Sequence, residues 1–304
     1  MTGQVRITLL GPPSLEVAGV EVDLGRPLNW CLFARLAVEE GRQLTLRTLR
    51  RALWGREEAD RKALEKPASE IRTALTRAGL DGNAMLPRGN DGYRLLVPAG
   101  ATVDLYRYRE ANRLGRALER QDPAEAARLL AEALAWWRGD PLAGLSSFPW
   151  AEGYQRALDE ERRKTQIAFF KVRLALGHGA DLIPDLSGLY QIYSEDGQIR
   201  QLLARAYFQA DRVAEAQRID RRFDPEQERR LMKKVDPEEA QVVPLPVDAG
   251  ADGEPAPAAD DPVAEEPVAA AETTVITANT VGNVFQDKVE FHGDLNQKIW
   301  PVEP

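Results

Sequence analysis

The feature that most constrains this chain is a change of pattern near residue 100, where mixed short elements give way to a long helical stretch. The segment RRALWG at residues 50–55 has the form of a basic, amphipathic helix end stopped by glycine. The segment GYRL at residues 92–95 has the form of a strand leaving a tight turn, and VDL at residues 103–105 opens the helical stretch. This order predicts an α+β winged helix-turn-helix followed by an all-α domain.

The first domain, residues 1–100, begins with short alternating strands predicted between residues 5 and 24 and a helix over 28–39. Thr45 then caps a helix whose apolar positions follow helical spacing, namely Leu46, Leu49 and Leu53. The opposite face of this helix carries three cations: Arg47, Arg50 and Arg51.

A second helix is predicted over residues 67–78, with Pro67 at its first position and Gly79 directly after its end. Its inner face is apolar and comprises Ala68, Ile71, Ala74 or Leu75, and Ala78. Its outer face is polar and comprises Lys66, Ser69, Glu70, Arg72, Thr73, Thr76 and Arg77. A hairpin over residues 85–97 should follow, because residues 89–92 supply the turn chemistry that a hairpin needs.

The second domain, residues 101–234, has a helical pattern from Asp104 to about residue 224. Residues 202–216 have the pattern of a tetratricopeptide-type hairpin, which predicts a tetratricopeptide-like, all-α fold. The aromatic pairs at 136–137 and 169–170 fit the core of such a fold better than a ligand-binding box. We also expect Trp150 to be a buried anchor between the domains, since a long helix starts beside it.

The charge of the chain is divided unevenly along its length. Residues 235–304 hold 15 acidic and 2 basic residues, whereas residues 42–77 hold 10 basic and 5 acidic residues. Residues 235–272, rich in Pro, Ala and carboxylates, are predicted to be a disordered acidic linker. Residues 273–304 regain Val, Ile and Phe in short alternation, so we expect a β-prone tail that docks on a protein partner or on its own copies.

The sequence contains few residues suited to catalysis or metal binding. It has one cysteine, Cys31, and two distant histidines, and it lacks phosphate-binding glycine motifs. We therefore expect no metal site, no cofactor and no enzymatic role. The single cysteine, the lack of a long apolar run and the polar N-terminus predict a cytoplasmic protein without a membrane span.

Five segments together resemble the actinobacterial antibiotic regulatory proteins, which join an OmpR-type winged helix to a bacterial transcriptional activator domain. The five segments are ALWG at 52–55, GYRL at 92–95, VDL at 103–105, WRGDPL at 137–142 and FPW at 148–150. They occur in the same order as in that family and at similar spacing. The resemblance extends from Val5 to about Asp224.

The resemblance implies a DNA-binding transcriptional regulator that acts as an activator. It places the helix at 67–78 in the major groove and the wing at 85–97 near the minor groove. It also implies contact with RNA polymerase through the loop between Gly55 and Lys66, and self-association through the activator domain. The implied partners are double-stranded DNA, RNA polymerase and a second copy of the chain.

On this interpretation the DNA contacts fall to three groups of residues. The phosphate contacts are Arg47, Arg50, Arg51, Lys66 and Arg77. The base contacts are Ser69, Arg72, Thr73 and Thr76. The wing contributes Arg88 and Arg94.

The alternative function is a tetratricopeptide-like adaptor between proteins, whose winged helix has lost DNA binding. A continuous positive surface across residues 46–54 and 67–78 favours DNA binding. Neutralisation of that surface by nearby carboxylates favours the adaptor, and the candidates are Glu57, Glu58, Glu65 and Glu70.

Overall fold

Two small sheets and three main helices form the N-terminal part of the computed structural model, which describes residues 4–55 and 61–232. The first sheet has the strand order β3-β2-β1-β7. Its antiparallel strands are β1 (Val5–Thr8), β2 (Ser14–Val17) and β3 (Val20–Glu21), as the alternation predicts. Strand β7 (Thr102–Val103) pairs in parallel with β1, which the sequence pattern does not indicate.

The helices of the winged helix-turn-helix lie close to their predicted positions. They are α1 (Pro27–Ala37), α2 (Leu46–Trp54) and α3 (Glu65–Arg77). The predicted cap of α2 is confirmed, since the backbone N–H of Thr48 donates to Oγ1 of Thr45 at 3.1 Å. Helix α3 begins two residues earlier than predicted, after a 3-10 turn at Arg61–Leu64.

The wing is smaller than the predicted hairpin over residues 85–97. The wing strands are β5 (Arg88–Gly89) and β6 (Gly92–Tyr93). With β4 (Leu44–Thr45) they form the second sheet of the domain, in the order β4-β6-β5. A short helix, α4 (Gly82–Met85), precedes it and was not predicted. The strands are short because Leu86 and Leu95, on either side of the hairpin, turn into the core.

Seven helices form the C-terminal part of the described chain. They are α5 (Asp104–Leu118), α6 (Pro123–Ala135), α7 (Pro149–Ala175), α8 (Gly179–Ile192), α9 (Gly197–Gln209), α10 (Val213–Ile219) and α11 (Pro225–Met232). Four successive pairs pack closely, as the tetratricopeptide-like pattern predicts: α5 with α6, α6 with α7, α8 with α9, and α9 with α10. Phe169 and Phe170 lie in the core of this array, as expected.

The winged helix and the first activator helices share one hydrophobic core. Trp137 and Leu158 join the same buried cluster as Phe33 and Leu49. The ring of Trp137 is fully buried and meets the ring of Tyr108 edge-on, at a centroid distance of 5.1 Å. The two domains are therefore packed against each other by apolar burial.

The expectation that Trp150 is a buried anchor is met only in part, because Trp150 is half-buried at the start of α7. Its Nε1 donates to Sγ of Cys31 at 3.1 Å, and the guanidinium of Arg35 lies 5.4 Å from its ring centroid. Its ring also meets that of Tyr154 at a centroid distance of 5.6 Å. Trp150 therefore joins α1 to α7 although part of it stays exposed.

The predicted linker at 235–272 and tail at 273–304 lie outside the described residues, as do residues 56–60 of the loop between α2 and α3. Within the described ranges, no helix is both long and apolar enough to cross a membrane.

Candidate nucleic-acid interface

Helix α3 buries one side and exposes the other, as its periodicity predicts. Three side chains on the inner side of α3 are fully buried, namely those of Ala68, Ile71 and Leu75. The exposed side, called the α3 face below, consists of Lys66, Ser69, Thr73, Thr76 and Arg77. Five of the predicted DNA-contact residues, three with hydroxyl groups and one exposed cation towards each end, thus share one side of the helix.

The hydroxyl groups of the α3 face have a defined orientation. Oγ1 of Thr73 donates to the carbonyl of Ser69, and Oγ1 of Thr76 donates to the carbonyl of Arg72, both at 2.9 Å. Because each proton is used within the helix, the lone pairs of these oxygens are left for outside donors. The amino groups of cytosine and adenine are such donors in the major groove.

Arg72 does not lie on the α3 face, and this corrects its predicted position among the base contacts. Its Nε donates to the carbonyl of Leu86 at 2.9 Å, and its guanidinium lies 5.6 Å from the ring centroid of Tyr93. Arg72 is half-buried and joins α3 to the wing. We infer that it positions the wing relative to α3.

Removing the Arg72 side chain tests this positioning role. Arg72→Ala should lower the free energy of unfolding by about 1–2 kcal/mol, because a hydrogen bond and a cation–π contact are both lost. Arg77→Ala on the same helix is the control, and its effect should stay within about 0.5 kcal/mol. Urea unfolding measures both. An unchanged midpoint for Arg72→Ala, with lost discrimination between DNA sequences, would restore the base-contact role.

Two carboxylates of α3 are held by cations near the α3 face. Glu70 accepts from Arg26 at 2.6 Å and from Nδ2 of Asn29 at 3.1 Å. These hydrogen bonds, that of Arg26 above all, lower the pKa of Glu70 below its usual value. Glu65 pairs with Arg88 of the wing at 3.1 Å. Arg26 is not part of a helical apolar pattern, so the sequence did not predict its contact with Glu70.

The other predicted phosphate contacts lie on α2 and the wing. On α2, Arg47 and Arg51 are exposed, whereas Arg50 is half-buried. In the wing, Arg88 and Arg94 are both exposed. Exposed cations therefore occur on α2, α3 and the wing, and the pair of Arg88 with Glu65 joins the wing to α3.

Comparison with known proteins identifies the second domain first. Residues 103–234 match the family model of the bacterial transcriptional activator domain. The transcriptional regulatory protein MoaR1 of Mycobacterium tuberculosis is 28% identical over 209 residues, covering 68% of this chain and 67% of MoaR1. The transcriptional regulator RedD of Streptomyces coelicolor is 30% identical over 220 residues, covering 70% of this chain and 62% of RedD.

The similarity extends to a solved structure. The structure of Mycobacterium tuberculosis EmbR in complex with a low affinity phosphopeptide matches with a TM-score of 0.68 and 26% identity, over 80% of this chain and 67% of that one. Residues 103–234 thus resemble a bacterial transcriptional activator domain, and the chain is similar to these transcriptional regulators over about two thirds of its length. In sequence, the transcriptional regulatory protein EmbR is 29% identical over 211 residues, so the match covers 68% of this chain and about half, 54%, of EmbR.

Two of the five segments that resemble the family, VDL and WRGDPL, form an interdomain clamp. The carboxylate of Asp104 accepts from the backbone N–H groups of Leu9 and Leu10, each at 2.9 Å. The carbonyl of Leu10 accepts from the N–H of Arg138 at 2.8 Å, and that of Leu9 accepts from the N–H of Leu142 at 3.0 Å. The end of β1 is thus bonded on both sides by the activator domain.

A second set of polar contacts joins the domains around Arg109 of α5. Its guanidinium donates to both carboxylate oxygens of Glu161 on α7, at 3.2 and 3.3 Å. It also donates to Glu40, which follows α1, at 2.7 Å. One half-buried guanidinium therefore links α5, α7 and the winged helix.

The named relatives are transcriptional regulators, and this similarity supports a role of the chain in the regulation of transcription. Among the described residues, no cluster of three or more histidine, cysteine or carboxylate side chains is arranged to hold a metal ion.

Proposed function

We propose that this protein regulates transcription by binding duplex DNA through α2, α3 and the wing. The observation that supports the proposal best is the α3 face. There the hydroxyl oxygens of Thr73 and Thr76 can accept hydrogen bonds from outside the helix, and the exposed cations Lys66 and Arg77 lie on the same face. Ser69, Thr73 and Thr76 contact bases in the major groove, and Lys66 and Arg77 contact phosphates. Arg47, Arg50 and Arg51 of α2, with Arg88 and Arg94 of the wing, add phosphate contacts.

Salt-dependent binding to DNA tests this proposal. The full chain should bind a duplex covering the upstream region of its own gene. The variant Lys66→Ala/Arg77→Ala should reduce the slope of log affinity against log salt by about 2, because each lost phosphate contact accounts for about 0.9. Thr73→Ala should instead relax sequence preference, at a cost of about 1–3 kcal/mol for the preferred site.

Arg113→Ala on α5 is the control, since Arg113 is exposed and pairs with Glu110 far from the α3 face. Its affinity and salt slope should equal those of the unaltered chain. If all the variants and the unaltered chain fail to shift the duplex at low salt, the DNA-binding proposal is wrong.

We further propose that the protein contacts RNA polymerase through the loop from Gly55 to the start of α3. The left-handed conformation of Gly55, with φ of 71°, ends α2 and directs the chain into this loop. Most of the loop, residues 56–60, lies outside the described residues.

An adaptor between proteins is the second candidate. The observation that favours it is the pairing of Glu65 with Arg88 and of Glu70 with Arg26, which neutralises two cations near the α3 face. The other two carboxylates that were expected to neutralise the positive surface, Glu57 and Glu58, lie outside the described residues. Absence of DNA binding, with retained capture of RNA polymerase, would support the adaptor.

The proposal for residues 273–304 is docking on a protein partner or on a second copy of the chain. Deleting this tail should leave DNA affinity within about twofold, because the tail contributes none of the proposed DNA contacts. The deletion should also remove higher oligomers or a co-purifying partner, which size-exclusion chromatography and pull-down measure. Identical profiles before and after deletion would refute the docking role.

A further inference from the structure

We propose that residues 235–272, called the acidic segment below, bind the surface around the α3 face of the same chain and compete there with DNA. The inference rests on the proposed function, because it concerns the regulation of the same surface. The acidic segment carries 11 carboxylates and no lysine or arginine. Residues 1–234 carry 38 basic and 33 acidic residues, so the opposite charges lie in different parts of the chain.

The surface around the α3 face already binds carboxylates in the structure. Arg88 holds Glu65 at 3.1 Å, and Arg26 holds Glu70 at 2.6 Å. A guanidinium binds carboxylate and phosphate oxygens with the same planar arrangement of donors. A surface that suits the phosphates of DNA therefore also suits a run of carboxylates.

Exposed cations that can bind such a run of carboxylates lie on α2, on α3 and on the wing. Arg51 of α2, Lys66 and Arg77 of α3, and Arg94 of the wing are exposed. No ion pair joins any of these four to another residue of the described ranges 4–55 and 61–232. They can attract the acidic segment when DNA is absent, and the attraction weakens as salt screens it.

A cavity elsewhere on the molecule is the alternative binding place for the acidic segment. It has a volume of about 290 Å³, lies between α5, α7 and α9, and is lined by four cations and two carboxylates, namely Arg116, Arg163, Lys164, Lys171, Glu119 and Glu160. Glu160 pairs there with Arg163 at 2.6 Å and with Lys164 at 3.3 Å. Two of the four cations are therefore already paired with a carboxylate, which favours the surface around the α3 face.

The acidic segment is long enough to reach that surface. Helix α11 ends at Met232 and is held to α9 by the pair of Arg205 with Glu228 at 2.6 Å. A segment of 38 residues can span at most roughly 125–135 Å when fully extended. A folded body of about 230 residues has a radius of gyration of about 17 Å. Being on the same chain, the segment acts at an effective concentration of about a millimolar.

Competition of this kind should lower the affinity for any duplex. The acidic segment must leave the surface before DNA can bind there, whatever the DNA sequence. The apparent affinity is therefore reduced in proportion to the fraction of protein whose surface is free, and by the same factor for random and specific DNA. Base contacts still make binding to a specific site stronger than binding to random sequence.

The test compares the full chain with a full-length variant in which all 11 carboxylates of the acidic segment are replaced by the corresponding amides. The probes are a random-sequence duplex and a duplex from the upstream region of the protein's own gene. The variant should bind the random duplex about tenfold more tightly at low salt. The gain should be of similar size for the upstream duplex and should shrink for both as salt increases.

A second variant tests whether removing carboxylates outside the acidic segment has the same effect, although it removes four and not 11. Replacing Asp287, Glu290, Asp294 and Glu303 of the tail by amides should change the affinity less than twofold. Reversing the charge of Arg116 and Lys171 in the cavity should likewise leave the competition in place. A synthetic peptide of residues 235–272 should lower the affinity of the amide variant again.

Three results would overturn the inference. These are equal affinities of the full chain and the amide variant, failure of the peptide to compete, and relief of competition by the cavity variant. In the first two cases the proposed function would still hold, provided that the chain binds DNA. If neither the full chain nor the amide variant binds either duplex at low salt, the proposed function fails as well.

Discussion

Replacing Asp104 with alanine should lower the free energy of unfolding by about 3–5 kcal/mol at pH 7, because three buried N–H groups lose their acceptor. These belong to Leu9, Leu10 and Leu105, and they lie 2.7–2.9 Å from the carboxylate oxygens. The carboxylate also stands at the positive N-terminal end of α5. Urea unfolding of the full chain measures the effect.

Asp122→Ala is the matched control for this substitution. Asp122 is also an aspartate at a helix start, where it accepts from the N–H of Glu125 at 3.0 Å, but it is exposed. Its loss should cost only about 1 kcal/mol, as is usual for a solvated helix cap. Equal effects of the two substitutions would show that Asp104 acts as a simple cap and not as a clamp.

Asp104 should also give the stability of the protein a pH dependence of a defined sign. Burial raises the pKa of Asp104 from 3.8 to about 6, against the opposing effect of the N–H groups of Leu10, Leu9 and Leu105. The folded chain then keeps a proton that the unfolded chain has lost. The contribution of Asp104 to stability therefore falls as pH rises from about 4 to about 6, by about 3 kcal/mol in total.

Asp104→Asn has no titrating group at this position and should lack that decline. The measurement is the difference in unfolding free energy between the two chains at pH 4, 5, 6 and 7. A difference that is constant over this range would contradict the assignment of the pH dependence to Asp104.

Replacing Gly92 with alanine should destabilise the wing by about 3 kcal/mol, because the added methyl group has no room. A Cβ at this position would lie 1.9 Å from the carbonyl oxygen of Leu44 and 3.0 Å from Cα of Thr45. Both are backbone atoms of β4, which pairs with β6 at these residues. The strands must separate, so the variant should also lose affinity for DNA.

Gly153→Ala is the control for Gly92→Ala. Gly153 lies within α7, and an added Cβ there meets no atom within 4 Å. Alanine should stabilise the helix by about 0.5–1 kcal/mol. Thermal unfolding and DNA binding of both variants check the pair. A Gly92→Ala chain with unchanged melting temperature and affinity would show that the wing tolerates separation of β4 from β6.

The local pattern of the sequence predicted the helices of the winged helix-turn-helix well. The cap at Thr45, the apolar positions of α2 and the buried side of α3 all follow from residues within one or two helical turns of each other. The exposed side of α3 follows in the same way, so most of the proposed base contacts could be chosen from the sequence. The wing was predicted in place but with strands that are too long, since burial of Leu86 and Leu95 depends on the rest of the core.

The sequence by itself determined which residues form helices, which sides of them are apolar and where charge accumulates, because these properties depend on near neighbours in the chain. Tertiary structure decided which polar groups meet. Arg72 meets a carbonyl 14 residues away, Arg26 meets Glu70 at a separation of 44, and Asp104 meets Leu9 at a separation of 95. No periodicity reports such pairs. Each forms only because packing of the shared core brings distant segments together and makes an unpaired buried polar group costly.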